Sequence, residues 1–114
     1  RLVRLPYHLS AVTQATANAA LAHAGSLLAN VEDIKGQRDR IVAELTEMGL
    51  QPAESDANFV LFGGLENPRK VWQGLLDAGV LIRDVGIPGH LRVTAGTEAE
   101  TTAFLTRLRE LLSA

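Results

Sequence analysis

The spacing of apolar residues changes character at Gly49, and no other feature restricts the fold of this chain more. Before Gly49, apolar and small residues recur at helical intervals from Ala11 to Met48 with no proline among them. After it come short apolar runs separated by glycine and proline, the texture of strands and turns. A chain that begins with helices and continues in short strands interleaved with helices suits an α+β layer, with helices packed on one face of a small, mostly antiparallel sheet.

The individual elements follow from local chemistry. Ser10 is a good N-cap for the alanine-rich run Ala11–Ala29, and alanine is the best helix former. Few charges interrupt that run, which predicts a helix packed closely on something larger, with Gly25-Ser26 as its expected kink. Asn30 is the expected cap of a second, amphipathic helix over 31–48, with Val31, Ile34, Ile41, Leu45 and Met48 inward. Its wet face carries Lys35, Gln37, Arg40, Glu44 and Glu47, and Gly49 ends it.

Leu50–Ala53 is an expected edge strand, because Pro52 excludes a central position. Asn58–Phe62 reads as a buried strand, and Asn67-Pro68 opens a third helix with Val71, Trp72, Leu75 and Leu76 inward. Val80–Ile82 and His90–Ala95 are expected strands on either side of a loop holding Gly86, Pro88 and Gly89. Thr97 and Glu100 form a capping box that starts the last helix, whose expected core face is Phe104, Leu105, Leu108, Leu111 and Leu112.

Composition removes several functions. The 114 residues can enclose a core without staples, and with no cysteine there is no disulfide framework, zinc ribbon or thiol nucleophile. A net charge of −2 argues against a nucleic-acid module. No apolar stretch approaches the ~20 residues of a membrane span. Arg1–Pro6 lacks a signal-peptide core, so a cytoplasmic location is expected, and a first residue other than Met places the expected native start upstream. His8, His23 and His90 are scattered without metal-ligand spacing, so no metal site is expected. No serine sits in a nucleophile elbow, and the glycine loops match neither a P-loop nor a dinucleotide fingerprint.

The arginines are more informative. Arg83 closes the apolar run Val80–Ile82, and Arg92 lies inside Leu91–Thr94. A charge flanked by apolar residues is costly to bury unless paired, and guanidinium holds a carboxylate or phosphate by two parallel hydrogen bonds. Two such forks on neighbouring strands can form an anion pocket. Each can equally point to solvent, or pair with Asp84 or Asp56.

Four runs, Leu5–Ser10, Asp56–Phe62, Leu81–Gly86 and Leu91–Thr97, resemble together the C-terminal part of the histidinol-phosphate aminotransferase family, with a loop over 83–89 similar to its actinobacterial branch. The resemblance implies the small C-terminal domain of a fold-type I, pyridoxal-phosphate-dependent aminotransferase. Residues 1–29 would then end the large cofactor domain, 30–49 would link the domains, and 50–114 would form the small substrate-closing domain. It implies amino transfer between histidinol phosphate and 2-oxoglutarate, with glutamate as the paired product, in an enzyme that is a homodimer when intact. Arg92 and Arg83 match the family's substrate-anion arginines. Asn58 and Tyr7 match cleft-lining positions, Asn58 as a backbone brace; His8 is assigned no role. Neither lysine, Lys35 or Lys70, sits in a run like the family's cofactor motif, so no catalytic or cofactor-binding residue is expected here, and the chain alone is expected to be inactive. The alternatives are an aromatic amino-acid aminotransferase of the same fold and a non-catalytic α+β binding module.

Overall fold

A computed structural model describes residues 9–113. Tyr7 and His8 lie outside the described residues. The elements run α1 (Ala11–Ala22), α2 (Ala24–Glu47), β1 (Gln51–Pro52), β2 (Phe59–Gly63), α3 (Pro68–Asp77), β3 (Leu91–Thr94) and α4 (Glu98–Leu112). This is the expected α+β class, with four helices and one three-stranded antiparallel sheet, in the order β1-β2-β3, among the described residues. The chain separates into two compact units between Val31 and Glu32.

In the first unit, Ser10 caps α1 as expected, its hydroxyl accepting from the Thr13 N–H at 3.1 Å. The helical break falls at His23 rather than at Gly25-Ser26, which lie inside α2. Asn30 is likewise an interior residue of α2 and not a cap. The physical reason is propensity: flanked by Leu27, Leu28, Ala29 and Val31, an asparagine costs a helix well under ~1 kcal/mol, too little to stop it. No residue of α1 is buried.

The second unit owns the core. Period-two alternation sends Val60 and Phe62 of β2, with Leu91 and Val93 of β3, toward the helices. They meet Ile41 and Leu45 from α2, Val71 and Leu75 from α3, and Phe104, Leu105 and Leu108 from α4. The Phe62 and Phe104 rings pack with centroids 6.2 Å apart. Gly74 lets α3 approach α4 closely, since a Cβ there would sit 2.7 Å from a Leu111 methyl. β1 is an edge strand, as Pro52 requires.

Three core assignments change: Val31 and Leu112 are exposed, and Thr101 is buried. Ile34, Met48, Trp72 and Leu111 reach the core but are only partly buried. The expected wet face of α2 is partly claimed by α4. Arg40 bonds Glu44 and the Thr102 hydroxyl, both at 2.9 Å, and Arg109 reaches Glu44 at 3.2 Å. The expected strand Val80–Ile82 does not form; only Arg83 bridges to β3. Its apolar residues divide between the core, on which Val80 and Ile82 lean, and solvent, to which Leu81 is exposed.

Candidate functional site: two arginines on one sheet face

The register of β2 and β3 decides what their outer face displays. Leu61 lies opposite Arg92, and Phe59 opposite Thr94. Their neighbours Val60, Phe62, Leu91 and Val93 are buried against the helices, so Phe59, Leu61, Arg92 and Thr94 project from the other side. Arg83 pairs directly with Arg92 through two backbone hydrogen bonds, each donated by one residue's N–H to the other's carbonyl at 2.9 Å. Directly opposed residues of an antiparallel pair present their side chains on the same face. Both guanidinium groups therefore rise from one side of the sheet.

Neither arginine is neutralised. The Arg92 guanidinium carbon stands 4.7 Å from the centroid of the Phe59 ring, and its Nε is buried with no hydrogen-bond partner among the described residues. Arg83 is exposed. Among the described residues neither takes part in an ion pair. Asp84 is turned to other tasks: its Oδ1 accepts from the Gly86 N–H at 2.9 Å, and its Oδ2 lies 3.9 Å from Arg69. Asp56 makes no ion pair among the described residues, so the expected alternatives of pairing with Asp84 or Asp56 are not realised. Like charges directly opposite on a sheet repel.

The segment that brings Arg83 to this place is anchored from behind. The Trp72 indole N–H donates to the Ile82 carbonyl at 3.0 Å, and Arg69 covers the Trp72 ring at 4.5 Å. The loop then turns through Gly86 and Gly89, both in the left-handed region that glycine occupies freely. It closes with the His90 Nδ1–H donating to the Pro88 carbonyl at 2.7 Å.

The structure thus brings Arg83 and Arg92 together. Asn58 lies exposed just before β2, where its backbone carbonyl accepts from the Ala95 N–H at 2.9 Å, tying the start of β2 to the end of β3. Phe59 and Trp72 were missed as site residues. Alternation alone hints that Phe59 and Leu61 share a face, but only the cross-strand register puts Arg92 on that same face.

A hollow of about 440 Å³ lies elsewhere in this unit, lined by Val80–Ile82, Thr94–Gly96 and the start of α4. It contains neither arginine. Its one charged group, Glu100, is committed to the capping box: the backbone N–H of Thr97, then the Thr97 hydroxyl, hold the carboxyl below its usual range. Among the described residues, no cluster of histidine and carboxylate groups could hold a metal ion.

A family model described as "Aminotransferase class I and II" matches residues 1–108. This chain belongs to that family. Among curated relatives, histidinol-phosphate aminotransferase of Paenarthrobacter aurescens is 78% identical over 98% of the chain, and that of Streptomyces avermitilis is 60% identical over 97%. The chain spans 30% of the length of each of these relatives. Among solved structures, histidinol-phosphate aminotransferase from Sinorhizobium meliloti in complex with pyridoxal-5'-phosphate superposes on 98% of this chain and 32% of its own, with a TM-score of 0.81 and 28% identity. An aminotransferase fold is therefore shared well beyond the short motifs.

Proposed function

We propose that this chain supplies the substrate-anion-binding face of a pyridoxal-phosphate-dependent histidinol-phosphate aminotransferase, an enzyme of histidine biosynthesis. The observation that carries the reading is the directly opposed, unneutralised pair Arg83 and Arg92 on one sheet face. A phosphate monoester brings two negative charges and three acceptor oxygens, enough for two guanidinium forks. Arg92, fixed on Phe59, acts as the steady fork, and exposed Arg83 as the adjustable one. Together they would hold the phosphate of histidinol phosphate, or a carboxylate of glutamate or 2-oxoglutarate, and so orient the amino group for transfer.

The described residues do not fit a cofactor site. When bound, pyridoxal phosphate stabilises the electron pair released during amino transfer, and it requires a lysine amine. Lys35 is paired with Glu32 at 2.9 Å on an exposed helix face, and Lys70 is exposed in the first turn of α3. Neither lies near the arginine face in sequence or in the sheet. No chemical step is assigned to this chain's own side chains beyond binding and orientation, and alone it is inactive in this reading. The cofactor and its lysine belong to the part of such enzymes outside the matched region. The proposed division follows: residues 1–29 end the large domain, 30–49 link, and 50–114 close over substrate. A cytoplasmic homodimer is the proposed intact form. No helix among the described residues is long and apolar enough to cross a membrane.

The test is kinetic, on the full-length enzyme that carries this chain. Histidinol phosphate should be a far better amino donor to 2-oxoglutarate than phenylalanine. Arg92→Ala should lower kcat/KM for histidinol phosphate by about a hundredfold, the loss of a charge-assisted pair of hydrogen bonds. Equal use of phenylalanine would point instead to an aromatic amino-acid aminotransferase. Absence of any amino transfer would favour a binding module.

A further inference from the structure

We infer that Phe59 is a positioning residue for the anion site: its ring orients Arg92 while leaving that guanidinium's charge free for substrate. This rests on the reading of Arg92 as an anion-binding fork. A guanidinium in a protein is usually fixed by a carboxylate, which aligns it but cancels its charge. Here no carboxylate does so among the described residues, yet Arg92 is not left loose. Its guanidinium carbon sits 4.7 Å from the Phe59 ring centroid, within the range of a cation–π contact.

The geometry follows from the sheet. Phe59 and Arg92 are diagonal neighbours on the outer face, since Arg92 is opposite Leu61 and Phe59 precedes Leu61 by two. The Arg92 Nε is buried with no hydrogen-bond partner among the described residues. Its terminal nitrogens make no hydrogen bond to the described residues and remain available to two oxygens of one anion. An aromatic ring attracts the cation through its quadrupole and contributes no net charge. Arg92 therefore keeps its full charge and loses much of its rotational freedom before substrate arrives, which lowers the entropy cost of binding. Phe59 touches no substrate in this account; it acts through Arg92.

The experiment uses full-length, cofactor-loaded enzyme with Phe59→Leu, Phe59→Tyr and Arg92→Ala, and the double variant Phe59→Leu/Arg92→Ala. Each is assayed with histidinol phosphate, with histidinol lacking the phosphate, and for competitive inhibition by inorganic phosphate. Phe59→Leu is expected to raise KM for histidinol phosphate, and the inhibition constant of inorganic phosphate, by about tenfold, the scale of a partly desolvated cation–π contact. At saturating 2-oxoglutarate its kcat should change little, its activity on histidinol should hold, and Phe59→Tyr should restore most of the loss. In the Arg92→Ala background, Phe59→Leu should add nothing.

Equal losses on both substrates would make Phe59 merely structural and overturn the inference. So would an unchanged phosphate inhibition constant in Phe59→Leu alongside a large loss in Arg92→Ala; that pattern would leave the function of Arg92 intact. Unchanged kinetics in Arg92→Ala would instead remove the anion-binding reading itself, and this inference with it.

Discussion

The two units of this chain use helix in opposite ways. In α1 no side chain is buried, and Leu9, Val12, Leu21, Leu27 and Leu28 of the first unit are exposed. Its helices are specified by alanine content and the Ser10 cap, interactions local along the chain. In the second unit, helices are specified by what they cover: Leu45, Leu75 and Leu108, from three different helices, are each wholly buried. Local propensity can therefore write a helix, but only burial gives a segment a fixed place. The arginine face belongs to the unit that has its own core, where the positions of Arg83 and Arg92 are set by a sheet backed with packed helices.

The contrast is easiest to break with truncations. Phe62→Ala should cost about 3–5 kcal/mol, the usual penalty for emptying a buried aromatic site. In this chain on its own, Leu28→Ala should stay within about 0.5 kcal/mol, because that side chain is 63% exposed. Denaturant unfolding followed by the single tryptophan, Trp72, reads the second unit. Comparable shifts from the two variants would end the distinction between the units.

Caps sharpen it further. Thr97→Ala should destabilise the second unit by about 1 kcal/mol through loss of the α4 capping box. Gly96→Ala should act in the same direction, since a Cβ there would lie 2.5 Å from the Glu100 carboxylate. Ser10→Ala should lower helical circular dichroism while leaving the Trp72 transition in place. A shifted Trp72 midpoint in that variant would show that α1 is not specified locally.

The smallest expected effect is on acid stability. Hydrogen bonds from Thr97 lower the Glu100 pKa in the folded protein, so the folded state binds this proton less readily than the unfolded one. Its stabilising contribution is complete above the ordinary carboxylate range and fades as pH falls through the lowered folded value. Glu100→Gln keeps an acceptor for the capping box and should flatten that part of the acid unfolding profile. An identical acid slope in the variant would rule Glu100 out as a contributor.

Much of the fold was legible in the residues because its signals are local. The caps at Ser10, Asn67 and Thr97 stand where expected, with Asn67 accepting from the Lys70 N–H at 3.0 Å. The errors fall where a local signal competes with something non-local or is simply too weak. Asn30 carries a cap signal that neighbouring helix formers outweigh. Val80–Ile82 carries strand-like residues, but a strand needs a paired partner along its length, and here only Arg83 is paired. The arginine pair was readable as two cations flanked by apolar residues, but its decisive property was not. That the two stand opposite one another, with Phe59 diagonal to one of them, depends on register across a loop. Register is a relation between strands, and no single run of residues expresses it.

The mutual hydrogen bonds of Arg83 and Arg92 make the backbone a gauge. In a pair of this type the α-carbons stand about 5.5 Å apart whatever side chains they bear. The separation of the two charges at their roots is thus fixed by peptide geometry and not by the 84–90 loop that joins them. That loop can lengthen, shorten or change its residues and the gauge will keep its setting, provided both ends still meet in the same pairing. A slip of one residue would take the two out of direct opposition, lose that spacing and turn one charge to the opposite side of the sheet. Drift in the loop is therefore cheap, and drift in the register is not.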